Sequence, residues 1–197
     1  LIIQSYALRD ESNALIDQAQ ALLVKELNLP PISEIKVDTL DKSKSVQTFN
    51  VKLSEMAGRA DASYHVPIVD AIVDILKKNA AEVTTVGDER ISSNIILPGR
   101  FKRVYVEEGY GTVLFGGKQM YELDPSNKKY LSKSKHDERI INELEIQENT
   151  TLISRSGTIG KVCLVPKHWQ NWVASEHIIR VVPANNDVAG YISIFLS

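Results

Sequence analysis

The sequence predicts an α+β protein: a long coiled-coil-type helix, then a domain built on a mixed, twisted β-sheet with flanking short helices. Three observations carry this. Leucines recur every seven residues at Leu1, Leu8, Leu15, Leu22 and Leu29, the repeat of a helix that offers one seam to a partner. Apolar residues at Ile68, Ala71, Ile72, Ile75 and Leu76 follow helical spacing. Beyond about residue 94, short apolar runs alternate with Gly, Pro and Asn, the pattern of strands joined by turns.

Taken in order, residues 1–29 form the first helix. Ile16, Ala19 and Leu23 widen its apolar stripe, and Pro30-Pro31 stops it because a proline disfavours helical geometry in the residue before it. The expected boundaries are a spacer helix over 1–30, a polar linker of mixed charge over 31–48 and a domain over 49–197. Pro67 suits the first position of a second helix, and Lys77 and Lys78 suit its C-terminal end, where the helix dipole favours positive charge. Strands are expected at 94–97, 102–106, 112–115, 151–154, 161–165 and 178–182. A short helix is expected within 134–148, a final helix over 187–197, and a basic loop over 128–135.

Composition limits the function classes. Of 197 residues, 43% are hydrophobic and 24% charged, ordinary for a globular chain. No apolar run approaches the roughly 20 residues that span a bilayer, and no signal-peptide pattern is present. The single cysteine, Cys163, cannot form an internal disulfide and sits in the apolar run 162–165 as a small core residue. Because the chain opens on Leu1 and closes on Ser197, it reads as a piece of a longer protein.

Several chemical motifs fall short. Gly111, Gly116, Gly117 and Lys118 approach a phosphate-binding P-loop, but Gly117 separates Gly116 from the lysine and Gln119 stands where Ser or Thr is needed. His65, His136, His168 and His177 lack the spacing of a helical zinc site. Ser175, Glu176 and His177 are triad residue types, but successive strand residues point to opposite faces and cannot relay a proton. Ser156 lacks the Gly-x-Ser-x-Gly elbow. No nucleotide-cofactor glycine motif occurs, so no catalytic residue, metal or cofactor is assigned to this chain.

What remains suits nucleic acid. The net charge is −2, yet residues 100–135 carry eight Lys/Arg against four acids. Local surplus is what phosphates respond to, because salt limits electrostatic reach to about 8–10 Å. Arg100, Lys102, Arg103 and Tyr105 cluster on one turn and strand, Lys118 and Gln119 follow another, and Lys128, Lys129 and Lys133 lie on the basic loop. Arg can bond guanine with two hydrogen bonds, Gln adenine, and Lys a phosphate. Arg155 and Lys161 flank a glycine turn in Leu152-Ile-Ser-Arg-Ser-Gly-Thr-Ile-Gly-Lys-Val162, which reads as strand, turn and strand. Gly157 and Gly160 supply the bend there.

That last segment resembles the central signature of target-recognition domains in type I restriction–modification specificity subunits. Arg59-Ala-Asp-Ala-Ser-Tyr-His-Val-Pro67 is similar to the Arg-x-Asp-x-x-Tyr-x-x-Pro opening of such domains, and Tyr191-Ile-Ser-Ile-Phe-Leu-Ser197 resembles their closing segment. Asn149 and Thr150 stand where the family has Gly-Asp, and Asn tolerates the same left-handed backbone. The resemblance implies a non-catalytic reader of one half of a split site in double-stranded DNA. It implies that the N-terminal helix spaces two such readers, associating with another helix of its own kind. It further implies methyltransferase partner subunits that modify adenine with S-adenosylmethionine, and a restriction motor subunit using ATP and Mg, in the cytoplasm of a bacterium or archaeon, with no membrane contact. Two alternatives are the recognition region of a fused restriction–methylation enzyme and a coiled-coil interaction module without DNA binding.

Overall fold

The computed structural model describes residues 2–35, 37, 48–56, 58–122, 124–157 and 159–197. Most of the expected linker, 38–47, lies outside the described residues. By compactness the chain divides into Leu1–Thr84 and Thr85–Ser197. Residues 49–84, which the sequence grouped with the β-rich domain, therefore go with the N-terminal helix.

In the first unit, α1 spans Ile2–Glu26 and α2 spans Pro67–Asn79. The double proline acts as expected: α1 has ended by Asn28, which takes a left-handed φ of 47°. The Asn79 side-chain amide donates to the carbonyls of Leu27 at 2.9 Å and Asn28 at 3.1 Å, tying the end of α2 to the turn that closes α1. On α2, Ile68, Ala71, Ile72, Ile75 and Leu76 are half-buried, while Asp70, Asp74, Lys77 and Lys78 face solvent, as the helical period requires. On α1 the heptad leucines Leu8, Leu15 and Leu22 are each between 57% and 60% exposed.

The Arg59–Pro67 segment folds on itself. Arg59 donates two hydrogen bonds to Asp61, at 3.0 and 2.9 Å, and its guanidinium lies 4.5 Å from the centre of the Tyr64 ring. His65 Nε2 donates to the Arg59 carbonyl at 2.8 Å. The Arg-x-Asp-x-x-Tyr spacing thus shapes the turn Ala62–His65 that delivers Pro67 to the first position of α2.

The second unit is mixed α+β, with its strands in two four-stranded sheets rather than the one sheet expected. The first has the order β1 (Ser92–Ile96), β8 (Ile178–Pro183), β5 (Thr151–Ser154), β6 (Val162–Leu164), all antiparallel. The second has the order β2 (Tyr105–Val106), β4 (Lys129–Ser132), β3 (Gly111–Phe115), β7 (Val173–Ala174). Its β3–β7 pair is parallel, so this sheet is the mixed one. The chain leaves the second sheet at β7 and enters the first at β8, so residues 175–177 cross between them.

Two strands escaped sequence reading. β4 falls within the expected basic loop over 128–135; it is short, begins with a lysine, and is placed by Leu131, which is fully buried. The rest of that stretch starts α3, Lys133–Arg139, which runs into a π-helical turn, Ile140–Leu144. β7 has two residues, too few for a period. α4, Asn186–Leu196, is capped by the Asn185 side chain, which accepts from the backbone of Asp187 at 3.0 Å and Val188 at 3.2 Å.

Two apolar clusters hold the unit. One gathers Phe115, Met120, Leu152, Val165, Trp169 and Ile178, with Trp172 packed beside it. The other gathers Leu114, Leu131, Ile140, Leu144 and Val173. Between β3 and β4 the backbones come close at Gly111, where a Cβ would strike the Leu131 carbonyl oxygen and reach Val106 Cγ2 at 2.7 Å. Gly111→Ala should therefore destabilise the chain by about 1–3 kcal/mol, because strand backbone cannot yield as a side chain can. A denaturant midpoint equal to the parent's would show that the strands separate without cost.

Candidate nucleic-acid interface

A cleft of about 890 Å³ opens in the second unit. The second sheet supplies Arg103 and Tyr105 ahead of and on β2, Lys129 on β4, and the turn Gly116–Gln119 after β3. The first sheet supplies the β5–β6 turn with Ser156, Gly157 and Lys161, and the 175–177 crossing supplies Ser175 and His177. Its charged lining, among the described residues, is Arg103, Lys118, Lys129 and Lys161 against the single carboxylate Glu122. A chain of net charge −2 has thus concentrated positive charge in one concavity. Low-dielectric walls focus such a field toward an anionic ligand.

Six of the eleven residues singled out from sequence meet in this cleft: Arg103, Tyr105, Lys118, Gln119, Lys129 and Lys161. Their roles differ. Lys129 Nζ lies 5.6 Å from the centre of the Tyr105 ring, a cation–π contact that keeps the amine at the cleft wall. Lys118 is exposed on the turn after β3. Gln119 does not present its amide to a base, as the sequence led one to expect. Its Oε1 accepts from the Gly116 backbone at 2.8 Å and its Nε2 donates to the Asn127 carbonyl at 2.9 Å, so it braces the wall.

The other five lie outside the cleft lining. Arg100, Lys102, Lys133 and Arg155 are exposed elsewhere on the unit's surface. Lys128 is paired with Asp124 at 2.8 Å, and its amine sits 5.2 Å from the Trp172 ring centre. The carboxylate hydrogen bond raises the Lys128 pKa above the usual lysine range.

Arg103 is a buttress rather than a free cation. Its guanidinium donates to Glu176 Oε2 at 2.7 Å, and that bond raises its own pKa. Burial pushes the Glu176 carboxyl up, but the Arg103 hydrogen bond and charge outweigh it and hold it below the usual carboxylate range. A folded-state value below the unfolded one means that the pair's stabilisation is present above the ordinary carboxylate range and lost as pH falls through the lowered value. Arg103→Met should therefore cost about 1–3 kcal/mol at neutral pH, shrinking below about pH 4. Urea titrations of both proteins at neutral and acid pH measure this; a difference that grows toward acid would reverse the assignment.

The structure also joins residues that sequence reading kept apart. Ser156 Oγ and His177 Nδ1 are 2.7 Å apart, and His177 Nε2 is 3.6 Å from Glu176 Oε1. Ser175, the sequence neighbour, contributes only a hydroxyl that accepts from the His177 backbone at 3.4 Å. The β5–β8 register creates the contact: Ser154 pairs with Ile178, and Arg155 N donates to the His177 carbonyl at 3.0 Å, so the turn folds over the crossing. Strand pairing across 21 residues leaves no mark in local spacing.

The β5–β6 turn has the form read from its glycines. Gly157 and Gly160 have φ of 80° and 79°, closed by Gly160 N to the Ser154 carbonyl at 2.9 Å. Asn149 takes φ 67°, standing in for the glycine its position would otherwise need. A scan of protein-family models finds no match to this chain, and a search of curated proteins also finds none. No group of three or more His, Cys, Asp or Glu is placed to hold a metal among the described residues. Cys163 is half-buried and its thiol is pushed up to about 11, far from a reactive thiolate. No helix among the described residues is long and apolar enough to cross a membrane.

Proposed function

We propose that this chain is a DNA-reading domain of the kind found in type I restriction–modification specificity subunits, acting without catalysis of its own. The carrying observation is the cleft: three lysines and an arginine already paired with Glu176 line it beside one carboxylate, Glu122, and the lining comes from both sheets of a chain with net negative charge. Cations in a concave wall contact the phosphate backbone, while base readout needs polar side chains nearby. In this reading α1 is the spacer between readers. Methyltransferase and motor subunits supply S-adenosylmethionine, ATP and Mg chemistry.

The experiment is a swap. Residues 85–197 of the parent protein are exchanged with those of a related reader of different specificity, in cells that also make the methyltransferase subunit. Mapping of N6-methyladenine should show one half of a split motif changing. Unchanged methylation by a folded complex would remove the recognition role.

The exposed heptad leucines of α1 favour a second reading, an interaction module that binds another helix. It makes a different prediction: helix pairing survives neutralisation of the cleft lysines, and duplex binding is absent before and after.

A further inference from the structure

We propose that the β5–β6 turn carries a proton-linked phosphate site, in which the Ser156 hydroxyl donates to a phosphate oxygen while His177, protonated on both nitrogens, holds that hydroxyl from behind. Identifying the phosphate as a DNA backbone group rests on the reading above.

The geometry sets the proton positions. The 2.7 Å contact between Ser156 Oγ and His177 Nδ1 can be made in two ways. If the hydroxyl donates to Nδ1, its one hydrogen is used and its oxygen can only accept, so it cannot bond an anion. If Nδ1–H donates to Oγ, the hydroxyl hydrogen is free to point into the cleft. The far nitrogen then faces Glu176 Oε1 at 3.6 Å, and Arg103 keeps that carboxylate ionised. A bare Nε2 lone pair opposite a carboxylate is repulsive, while Nε2–H opposite it is attractive. The imidazolium makes both contacts at once, Nδ1–H to the Ser156 oxygen and Nε2–H toward the carboxylate, and leaves the hydroxyl hydrogen for an anion.

The surrounding charges make this a coupling. Glu176 on the crossing faces the far nitrogen of the ring, and Arg103 beyond it pairs with the same carboxylate. Lys161 from the β5–β6 turn, Lys118 after β3 and Lys129 on β4 line the same cleft and oppose another positive charge; among the described lining residues Glu122 is the carboxylate. A phosphate among them reverses the balance, and a histidine changes charge within the physiological range of pH. Gly157 lines the cleft, and a Cβ placed on it would meet no atom of the described residues within 4 Å, its chain neighbours apart.

The test is fluorescence anisotropy of the 197-residue chain with mixed-sequence duplex DNA, between pH 8 and pH 6, over a range of salt. The parent should tighten about 3–10-fold toward pH 6, as uptake of one proton allows. Ser156→Ala should bind about 3–10-fold more weakly at pH 6 and lose the pH response. Its salt dependence should match the parent's, because a neutral hydroxyl releases no counterion. Ser156→Thr should restore both properties, and His177→Asn should bind without pH response. Ser156→Ala with parental affinity and pH response would overturn the site. If the parent binds no duplex at all, inorganic phosphate is titrated at pH 6 and the backbone amide NMR shifts of Ser156, Gly157 and His177 are followed. Saturable shifts lost in Ser156→Ala would keep the site and assign it to a free phosphate or phosphomonoester; unmoved amides would overturn it.

Discussion

Replacing Lys118 and Lys129 together by glutamine should weaken duplex binding about 10–100-fold near 0.1 M salt, and lower the slope of log affinity against log salt by roughly 1.8, as expected for two lost phosphate contacts. The two lysines reach the cleft from different parts of the second sheet, one on the turn after β3 and one on β4. Lys118 is exposed, and Lys129 is steadied on the Tyr105 ring without losing its charge. Neither holds a core element, so the fold should survive, which a parental thermal midpoint would confirm. The informative control is Lys128→Gln. Lys128 carries the same charge one residue away, but it is committed to Asp124 and lies outside the cleft lining. A drop of under about threefold is expected there, since exposed pairs and distant charges contribute little. Equal losses from Lys128→Gln and from the double variant would mean that diffuse charge, not the cleft, attracts DNA.

Arg180→Ala should destabilise the chain by about 3–5 kcal/mol, enough to populate unfolded protein at 37 °C in a domain of ordinary stability. Arg180 is fully buried in β8. Its NH1 donates to the Ile178 carbonyl at 2.7 Å, and its NH2 to the carbonyls of Leu144 at 3.2 Å and of Ala174. Those acceptors belong to the first sheet, the π-helical turn and the second sheet, so one side chain joins all three. Burial lowers its pKa to about 10, still above neutrality, so the charge remains; these carbonyls take its NH1 and NH2, Glu143 and Glu176 favour the charge, and Nε is buried without a hydrogen-bond partner among the described residues. Alanine removes the charge, leaves the acceptors buried without donors and opens a cavity. Arg180→Met separates these effects: it restores much of the volume but none of the bonds, and should recover a minor part of the loss. Urea unfolding read by Trp169 and Trp172 fluorescence measures both variants. A loss below 1 kcal/mol for Arg180→Ala would show that water enters and replaces the guanidinium. Because Arg180 also anchors the crossing that carries Glu176 and His177, its loss should weaken duplex binding in the fraction that stays folded.

Local chemistry was legible wherever it is dictated by neighbours in sequence. The long α1 helix, the α2 period, the proline stop, the positive-φ glycines of the β5–β6 turn and the left-handed Asn149 each follow from helix propensity, backbone sterics or a single helical face. The strand at 151–154 was read to the residue. The concentration of basic residues over 100–135 pointed to segments that line part of the cleft, yet it could not separate Lys129, in the cleft, from Lys128, beside it. Adjacent strand residues face opposite ways, and the strand itself was hidden by its short length and polar start.

Arg180 did leave a sign that reading passed over: a charge on the same strand face as Ile178, where alternation calls for an apolar residue. Buried arginine at such a place marks carbonyls waiting for a donor. Gln119 shows what residue type leaves out: it made the side chain a candidate for DNA contact, while the bonds to Gly116 and Asn127 tie its amide to the cleft wall.

By itself the sequence determined the α+β class, the order of most elements, the turn chemistry and the local excess of positive charge, because each depends on residues a few positions apart. Only the tertiary structure decided that the strands form two sheets, that the chain crosses between them at 175–177, and that Ser156, His177, Glu176 and Arg103 meet across that crossing. The physical reason is that strand pairing and the burial of charge are settled between segments far apart in the chain, where the gain comes from backbone hydrogen bonds and shared apolar surface that no local pattern encodes.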